Sequence, residues 1–274
     1  MSMDPGGDEL AELHEQVVAA PHADRPRLAY AAAVEATDPE RAEFIRLQVE
    51  INRVSRGQAD PLAGMSSRGE RASQLQQARG EEWARDIDQL VTEWSFMRGF
   101  VGCAKIDAAR FLTVAPELYR RAPVVHLILT GVQPVASELF ASPHLGRIRS
   151  LSINGSWFRD VSTGYVVWEQ IGDDEVRSLA QSPHLAELEW LQMYNNLITE
   201  AGLDALAASP NLPRLGYLDF SGNKADDPTP RFADDYDYTC AAAEELQRRY
   251  GHREWLDARV RAHWPPSRDE TWYL

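Results

Sequence analysis

The sequence predicts an α/β chain. A helical N-terminal domain caps a short solenoid of parallel strands and helices, and a helical segment closes the far end. Three observations carry this expectation: residues 1–97 keep helical periodicity, residues 98–227 contain three gapless copies of one strand-bearing motif, and residues 228–274 end in an acidic loop and an amphipathic stretch.

The first helix is marked by Leu10, Leu13, Val17 and Val18, which recur at helical spacing. "PHADRPRLAYAAAVEA" follows, rich in alanine and helix-favouring after Pro26. The run "DPERAEFIRLQVEINR" (38–53) has a clear start. Asp38 suits the capping position, Pro39 the first helical position, and Glu40 the positive end of the helix dipole. Its apolar residues, from Ala42, Phe44 and Ile45 to Val49, Ile51 and Val54, cover too wide an arc for a helix buried on one side. The helix should therefore pack on two neighbours. Glu43 and Arg46, at i and i+3, are candidates for an ion pair along it. A break rich in Gly, Pro and Ser spans 55–70. Helical spacing resumes over 70–94, with Leu75, Trp83, Ile87, Leu90 and Val91 as expected core contacts.

The repeat lies in "ASPHLGRIRSLSI" (141–153), "QSPHLAELEWLQM" (181–193) and "ASPNLPRLGYLDF" (208–220). Each has Ser-Pro, a Leu two residues after the Pro, and then apolar-x-x-apolar-x-apolar. The strand positions are Ile148, Leu151, Ile153; Leu188, Leu191, Met193; and Leu215, Leu218, Phe220. "VVHLILTGV" (124–132) adds a fourth strand through Val124, Leu127 and Leu129, and "RGFVGCAKID" (98–107) a degenerate first one through Val101, Ala104 and Ile106. Asn196 and Asn223 follow the last strand position by three residues, which completes the L-x-x-L-x-L-x-x-N pattern of a leucine-rich repeat. The helical half of each repeat runs into Ser-Pro, because the residue before proline disfavours the helical region. Leu151 and Leu191 are further apart than one repeat allows, so an insertion sits at about 155–172. One repeat cannot bury its own apolar positions; stacked neighbours can. Behind the repeats, Leu246, Tyr250 and Trp255 give the last segment an apolar side suited to a cap.

Asp24, Arg27, Leu28, Tyr30 and Ala31, followed by Asp38 to Gln48 without a gap, resemble the repeat-companion domain. That is a small bacterial helical domain found beside leucine-rich repeats of the ribonuclease-inhibitor-like kind. Residues 98–129 resemble the segment that joins it to its repeats. The resemblance implies a capping domain on a repeat array and an association role. It brings no catalytic residue.

The net charge is −14. Neutralising phosphates takes a dense basic surface, so the charge argues against nucleic acid and against anionic membranes as partners. Cys103 and Cys240 are too few and too distant for a disulfide framework or a zinc site. The N-terminal residues lack the apolar core of a secretory signal, and no apolar run is long enough to cross a bilayer. The expected location is the cytoplasm. No phosphate loop, metal motif or nucleophile elbow is present, so no catalytic residue, metal or cofactor is expected. His144 and His184 occupy one repeat position and read as structural; Asp173 and Asp174 read as caps at a helix start. Asp234, Asp235 and Asp237 lack the glycine and terminal glutamate of a calcium loop and read as a solvated loop.

Recognition is expected on the concave strand face, where side chains between the buried positions point outward. There stand His126, Ile128 and Thr130; Ser150, Ser152 and Asn154; Trp190, Gln192 and Tyr194; and Tyr217, Asp219 and Ser221. Trp190, Tyr194 and Tyr217 would form an aromatic cluster of the kind that anchors interfaces, or would pack on each other. The insertion adds Trp157, Phe158 and Trp168, which either pack on the solenoid or meet a partner. The expected function is a non-enzymatic interaction module that binds a protein or peptide partner. One alternative is an accessory subunit that presents a peptide or protein to a separate modifying enzyme. Another is a hydrolase or transferase whose site is built from the insertion and the acidic loop. The pattern leaves the oligomeric state open.

Overall fold

The computed structural model describes residues 5–55, 65–159, 165–224 and 241–256. The chain is mixed α/β and divides into two compact units. The first holds the described residues up to 105 together with 114–125; the second holds 106–113 and those from 126 onward. The boundary expected at 97/98 therefore falls inside a hairpin of the first unit.

That unit begins with α1 (Pro5–Ala19), α2 (Asp24–Val34), α3 (Pro39–Ser55) and α4 (Met65–Asp88). Asp38 caps α3 through its carboxylate, which accepts from the Arg41 backbone N–H at 3.0 Å. The wide apolar arc has the expected consequence, because α3 packs on both α2 and α4. Ala42, Phe44, Ile45 and Val49 are buried. The Glu43–Arg46 pair does not form. Arg46 makes a two-point bond to Glu35, both contacts at 2.7 Å, and Glu43 takes Arg71 of α4. Partners on adjacent helices can meet the arginine fork face-on, which a residue one turn away on the same helix does less well.

Strand β1 (Glu93–Met97) pairs antiparallel with β2 (Phe100–Asp107). The helical pattern that was expected to run through 94 thus ends in a strand. A two-residue turn joins the strands, with φ of 49° at Arg98 and 84° at Gly99. Two positive φ angles match the right-handed twist of a hairpin. At Gly99 a side chain would also collide with Ile45, since a Cβ there would lie 2.5 Å from the Ile45 side chain. Gly99 N–H instead donates to Gln48 Oε1 at 2.6 Å, which fastens the turn to α3. So "RGFVGCAKID" is a strand with Val101, Ala104 and Ile106 buried, as expected, and its antiparallel partner is β1.

Helix α5 (Ala108–Arg121) contributes residues to both units. In the second unit the chain runs through β3 (His126–Thr130), α6 (Ala136–Phe140), β4 (Ser150–Ser152), an antiparallel pair β5 (Ser156–Arg159) and β6 (Val166–Glu169), then α7 (Asp173–Gln181), β7 (Trp190–Gln192), α8 (Glu200–Ala208), β8 (Tyr217–Asp219) and α9 (Ala241–Tyr250). Strands β3, β4, β7 and β8 lie side by side in parallel and in register. Leu127, Leu151, Leu191 and Leu218 form one buried row across them. Neighbouring helices α6, α7 and α8 pack on one another.

Two polar marks in the sequence prove to be internal fasteners. Ser142, Ser182 and Ser209 stop the helices, and each hydroxyl accepts the backbone N–H two residues on. Asn196 is buried; its amide donates to the carbonyls of Ile153 at 2.7 Å and Met193 at 3.0 Å and accepts Ile171 N–H at 2.9 Å. Asn223 repeats this one strand later with Met193, Phe220 and Ile198. Each asparagine thus satisfies backbone groups that the turn leaves without a ladder partner.

Asp173 has a different role from the one expected. It opens α7, but its carboxylate reaches the next helix and accepts Thr199 N–H at 2.8 Å and the Thr199 hydroxyl at 2.6 Å. Partial burial works against its charge, yet the Thr199 and Gly202 bonds outweigh that and hold the carboxyl below its usual value. The start of α7 is closed instead by Glu175, which accepts Gly172 N–H. At the far end α9 packs on α8, and the turn at 254–256 meets β8; Leu246, Trp255 and Leu256 are buried.

Candidate functional site

Registration of the four parallel strands sets two outward rows on either side of the buried leucines. One is His126–Ser150–Trp190–Tyr217; the other is Ile128–Ser152–Gln192–Asp219. The register thus sets these residues in the rows that strand alternation predicts, with β4 the exception in being buried at all three of its positions.

The rows are not uniformly accessible. Trp190 and Tyr217 are half-buried, and their rings meet at 4.4 Å between centroids, tilted by 47°. His126, Ile128, Gln192, Tyr194 and Asp219 are also half-buried. Ser150 and Ser152 are buried at 6% and 7% exposure, so Ser152 is not the open contact that was expected. Its small side chain stands between the longer Ile128 and Gln192, and its hydroxyl donates to Gln192 Oε1 at 2.8 Å. Asp219 is turned to its own loop, where Oδ1 accepts the Ser221 N–H and hydroxyl. Asn154 is half-buried, and its Oδ1 has no hydrogen-bond partner among the described residues.

Below the Trp190 end of these rows lies an ion cluster. Arg149 bonds Glu187 and Glu189, and Arg214 bonds the same two carboxylates. Four half-exposed charges in one network neutralise one another, which leaves the aromatic pair as the main contact area.

The insertion is a β-ribbon in which Trp157 lies opposite Trp168 in the backbone register. Tyr165, Val166 and Trp168 are exposed at 76%, 46% and 59%. The side chains of Trp157 and Phe158 lie outside the described residues, as do the acidic loop at 231–239 and Cys240. Among the described residues no three His, Cys, Asp or Glu side chains gather as metal ligands, and no helix is long and apolar enough to cross a membrane.

Pattern reading missed one polar group. Arg41 was given no role there, yet it is buried at 7% exposure among aromatic rings of the first unit. Its spacing was the available signal: Arg41 lies three and four residues before Phe44 and Ile45, on their side of the helix.

Comparison with protein-family models, with curated proteins and with solved structures returns no match.

Proposed function

We propose that this chain is a non-enzymatic interaction module, a leucine-rich-repeat solenoid behind a repeat-companion-like helical domain. It binds a protein or peptide partner on the outward rows of β3, β4, β7 and β8. The observation that carries this reading is the Trp190–Tyr217 pair, two large half-exposed rings in contact on adjacent parallel strands. Such rings bury much area with few rotors to freeze and keep a polar tip for orientation. The exposed Tyr165, Val166 and Trp168 of the ribbon add a second apolar contact, as a loop carrying a partner surface would. Gln192, with His126 on the far strand, supplies hydrogen-bonding edges to the rows. On this reading the partner carries no excess of negative charge, since the chain itself has a net charge of −14.

The test is affinity capture in native lysate by wild type and by a Trp190→Ala, Tyr217→Ala variant of equal thermal stability, followed by calorimetry with the purified partner. Loss of two hot-spot rings should weaken binding by about 100-fold. Unchanged affinity would remove the proposed face.

A further inference from the structure

Among the described residues the first unit buries three arginines with different surroundings. Arg27 and Arg98 donate to backbone carbonyls: Arg27 Nη2 to Pro21 at 2.8 Å, and Arg98 to Pro21 at 2.6 Å and His22 at 2.8 Å. These two tie the start of α2 to the hairpin. Arg41 makes no such tie. Its Nη1 is buried and has no hydrogen-bond partner among the described residues.

The Arg41 guanidinium is instead surrounded by rings. Its central carbon lies 4.9 Å from the Trp83 ring centre, 5.1 Å from Phe100, 5.4 Å from Phe96 and 5.9 Å from Phe44. Ring quadrupoles attract a cation but accept no strong hydrogen bond. Asp38, the carboxylate whose charge acts on Arg41, is committed elsewhere. Its Oδ1 holds the helix cap, and its Oδ2 accepts Trp83 Nε1 at 3.1 Å and Arg79 at 3.3 Å. Burial pulls the pKa of Arg41 down to about 10, against the opposing pull of Tyr30 and Asp38, so the group stays a cation at neutral pH.

Arg41 also lines an open pocket of about 720 Å³, together with His14, Tyr30, Trp83, Ile87 and Phe100. That volume suits a small organic molecule; Tyr30, Trp83, Ile87 and Phe100 give it an apolar and aromatic wall, and Arg41 is the buried charge in its lining. The other charges at the pocket refine the ligand. Arg120 and Arg121 are both engaged by Glu117, and Arg121 also donates to the Asp86 carbonyl at 2.8 Å. Glu15, Asp38 and Asp86 stand at the wall. Three carboxylates repel a dianion such as phosphate, and Arg41 repels a cation. A single carboxylate matches the planar fork of a guanidinium and needs only one neutralising charge.

We propose that this pocket binds a small organic carboxylate, its carboxylate on Arg41 and its apolar or aromatic body against Tyr30, Ile87 and Phe100. The site is independent of the strand face assigned to the protein partner. Loading it would supply the acceptor that Arg41 lacks and would tighten α3 against α1 and α2.

The experiment is calorimetry on the full chain with acetate, hexanoate, phenylacetate and indole-3-acetate. Phenylacetamide serves as the neutral counterpart, and phosphate and chloride as competing anions. Phenylacetate or indole-3-acetate should bind with Kd of about 1 mM or tighter, and phenylacetamide about tenfold more weakly or worse. Arg41→Met should lose about tenfold in carboxylate affinity, and Arg41→Lys, which keeps the charge without the fork, should fall between. Hydrogen exchange on the wild type should slow at the start of α3 when the acid is present. If Arg41→Met does not fold, the wild-type comparison of acid with amide decides the matter. Equal binding of acid and amide overturns the proposal, as does tighter binding of phosphate or chloride. Absence of heat with all four acids at about 10 mM overturns it too.

Discussion

The two units solve the same problem in opposite ways. In the second unit β4, β7 and β8 each carry a buried leucine and follow a Ser-Pro stop, and β7 and β8 are each followed by an asparagine bonded to turns nearby. In the first unit four helices and a hairpin are joined by arginines whose partners lie far along the chain. Arg98 reaches Pro21, Arg79 reaches Asp38 and Glu40, and Arg53 reaches Asp24. In the second unit the fasteners recur at equivalent positions, as Asn196 and Asn223 do. The unrepeated unit depends on single residues that have no duplicate. The contrast extends to chemistry. On the two proposals above, the strand face would meet another protein, whereas the helical unit would take a small ligand at one buried charge.

The largest test of that contrast is Phe44→Ala. The ring is fully buried, stacked on Trp83 at 5.1 Å and edge-on to Phe96 at 5.1 Å. Its removal should cost about 4 kcal/mol, read from urea unfolding. A loss below about 1 kcal/mol would mean that the aromatic centre is not what holds the helices.

Asn196→Ala comes next. It takes the side-chain partner from Ile171 N–H and from the Ile153 carbonyl, while Met193 keeps its bond from Asn223, and should cost about 2 kcal/mol. Hydrogen exchange should show faster opening around Ile153 and Ile171. An unchanged pattern there would contradict the fastener role.

The buried arginines should part company. Arg27→Met deletes bonds to the carbonyls of Pro21, Met97 and Arg98 and should cost about 2 kcal/mol. Arg41→Met removes a buried charge that has no carboxylate of its own, so stability should stay within about 1 kcal/mol of wild type or rise. Equal losses in the two variants would show that Arg41 is as firmly bonded as Arg27.

The smallest effect is on pH. Burial holds the His14 imidazole below its usual value. The Arg121 backbone hydrogen bond opposes this, Arg41 reinforces it, and Asp86 and Glu15 oppose it. As the pH falls below about 6.5, the unfolded chain takes up a proton that the folded chain resists. Stability from this group is therefore complete above that pH and declines on acidification. His14→Asn should flatten the slope between about pH 7 and 5 in thermal unfolding. A slope that persists in the variant would assign it to another group.

Legibility followed the same divide. The rows of β3, β4, β7 and β8 were readable position by position, since strand alternation and a repeated Ser-Pro offset depend on neighbours in sequence. The burial of Ser152 was not, because shading depends on what stands on the adjacent strands, and only registration puts Ile128 and Gln192 beside it. The cap by Asp38 was readable, as it is closed within three residues. The partners of Glu43 and Arg46 were not, and β1 was missed because five residues without a clear alternation carry too little pattern.

By itself, the sequence determined the order of elements, the buried leucine rows, the helix stops and the outward positions of the strands. All of these arise from interactions closed within a turn or between equivalent positions of repeats. Tertiary structure alone decided which arginine is bonded to carbonyls and which is ringed by aromatics, and which strand closes the hairpin. It also decided that Arg41, Trp83 and Phe100 share one pocket wall. Those facts depend on residues dozens of positions apart, and for such contacts the local pattern holds no record until the chain has folded.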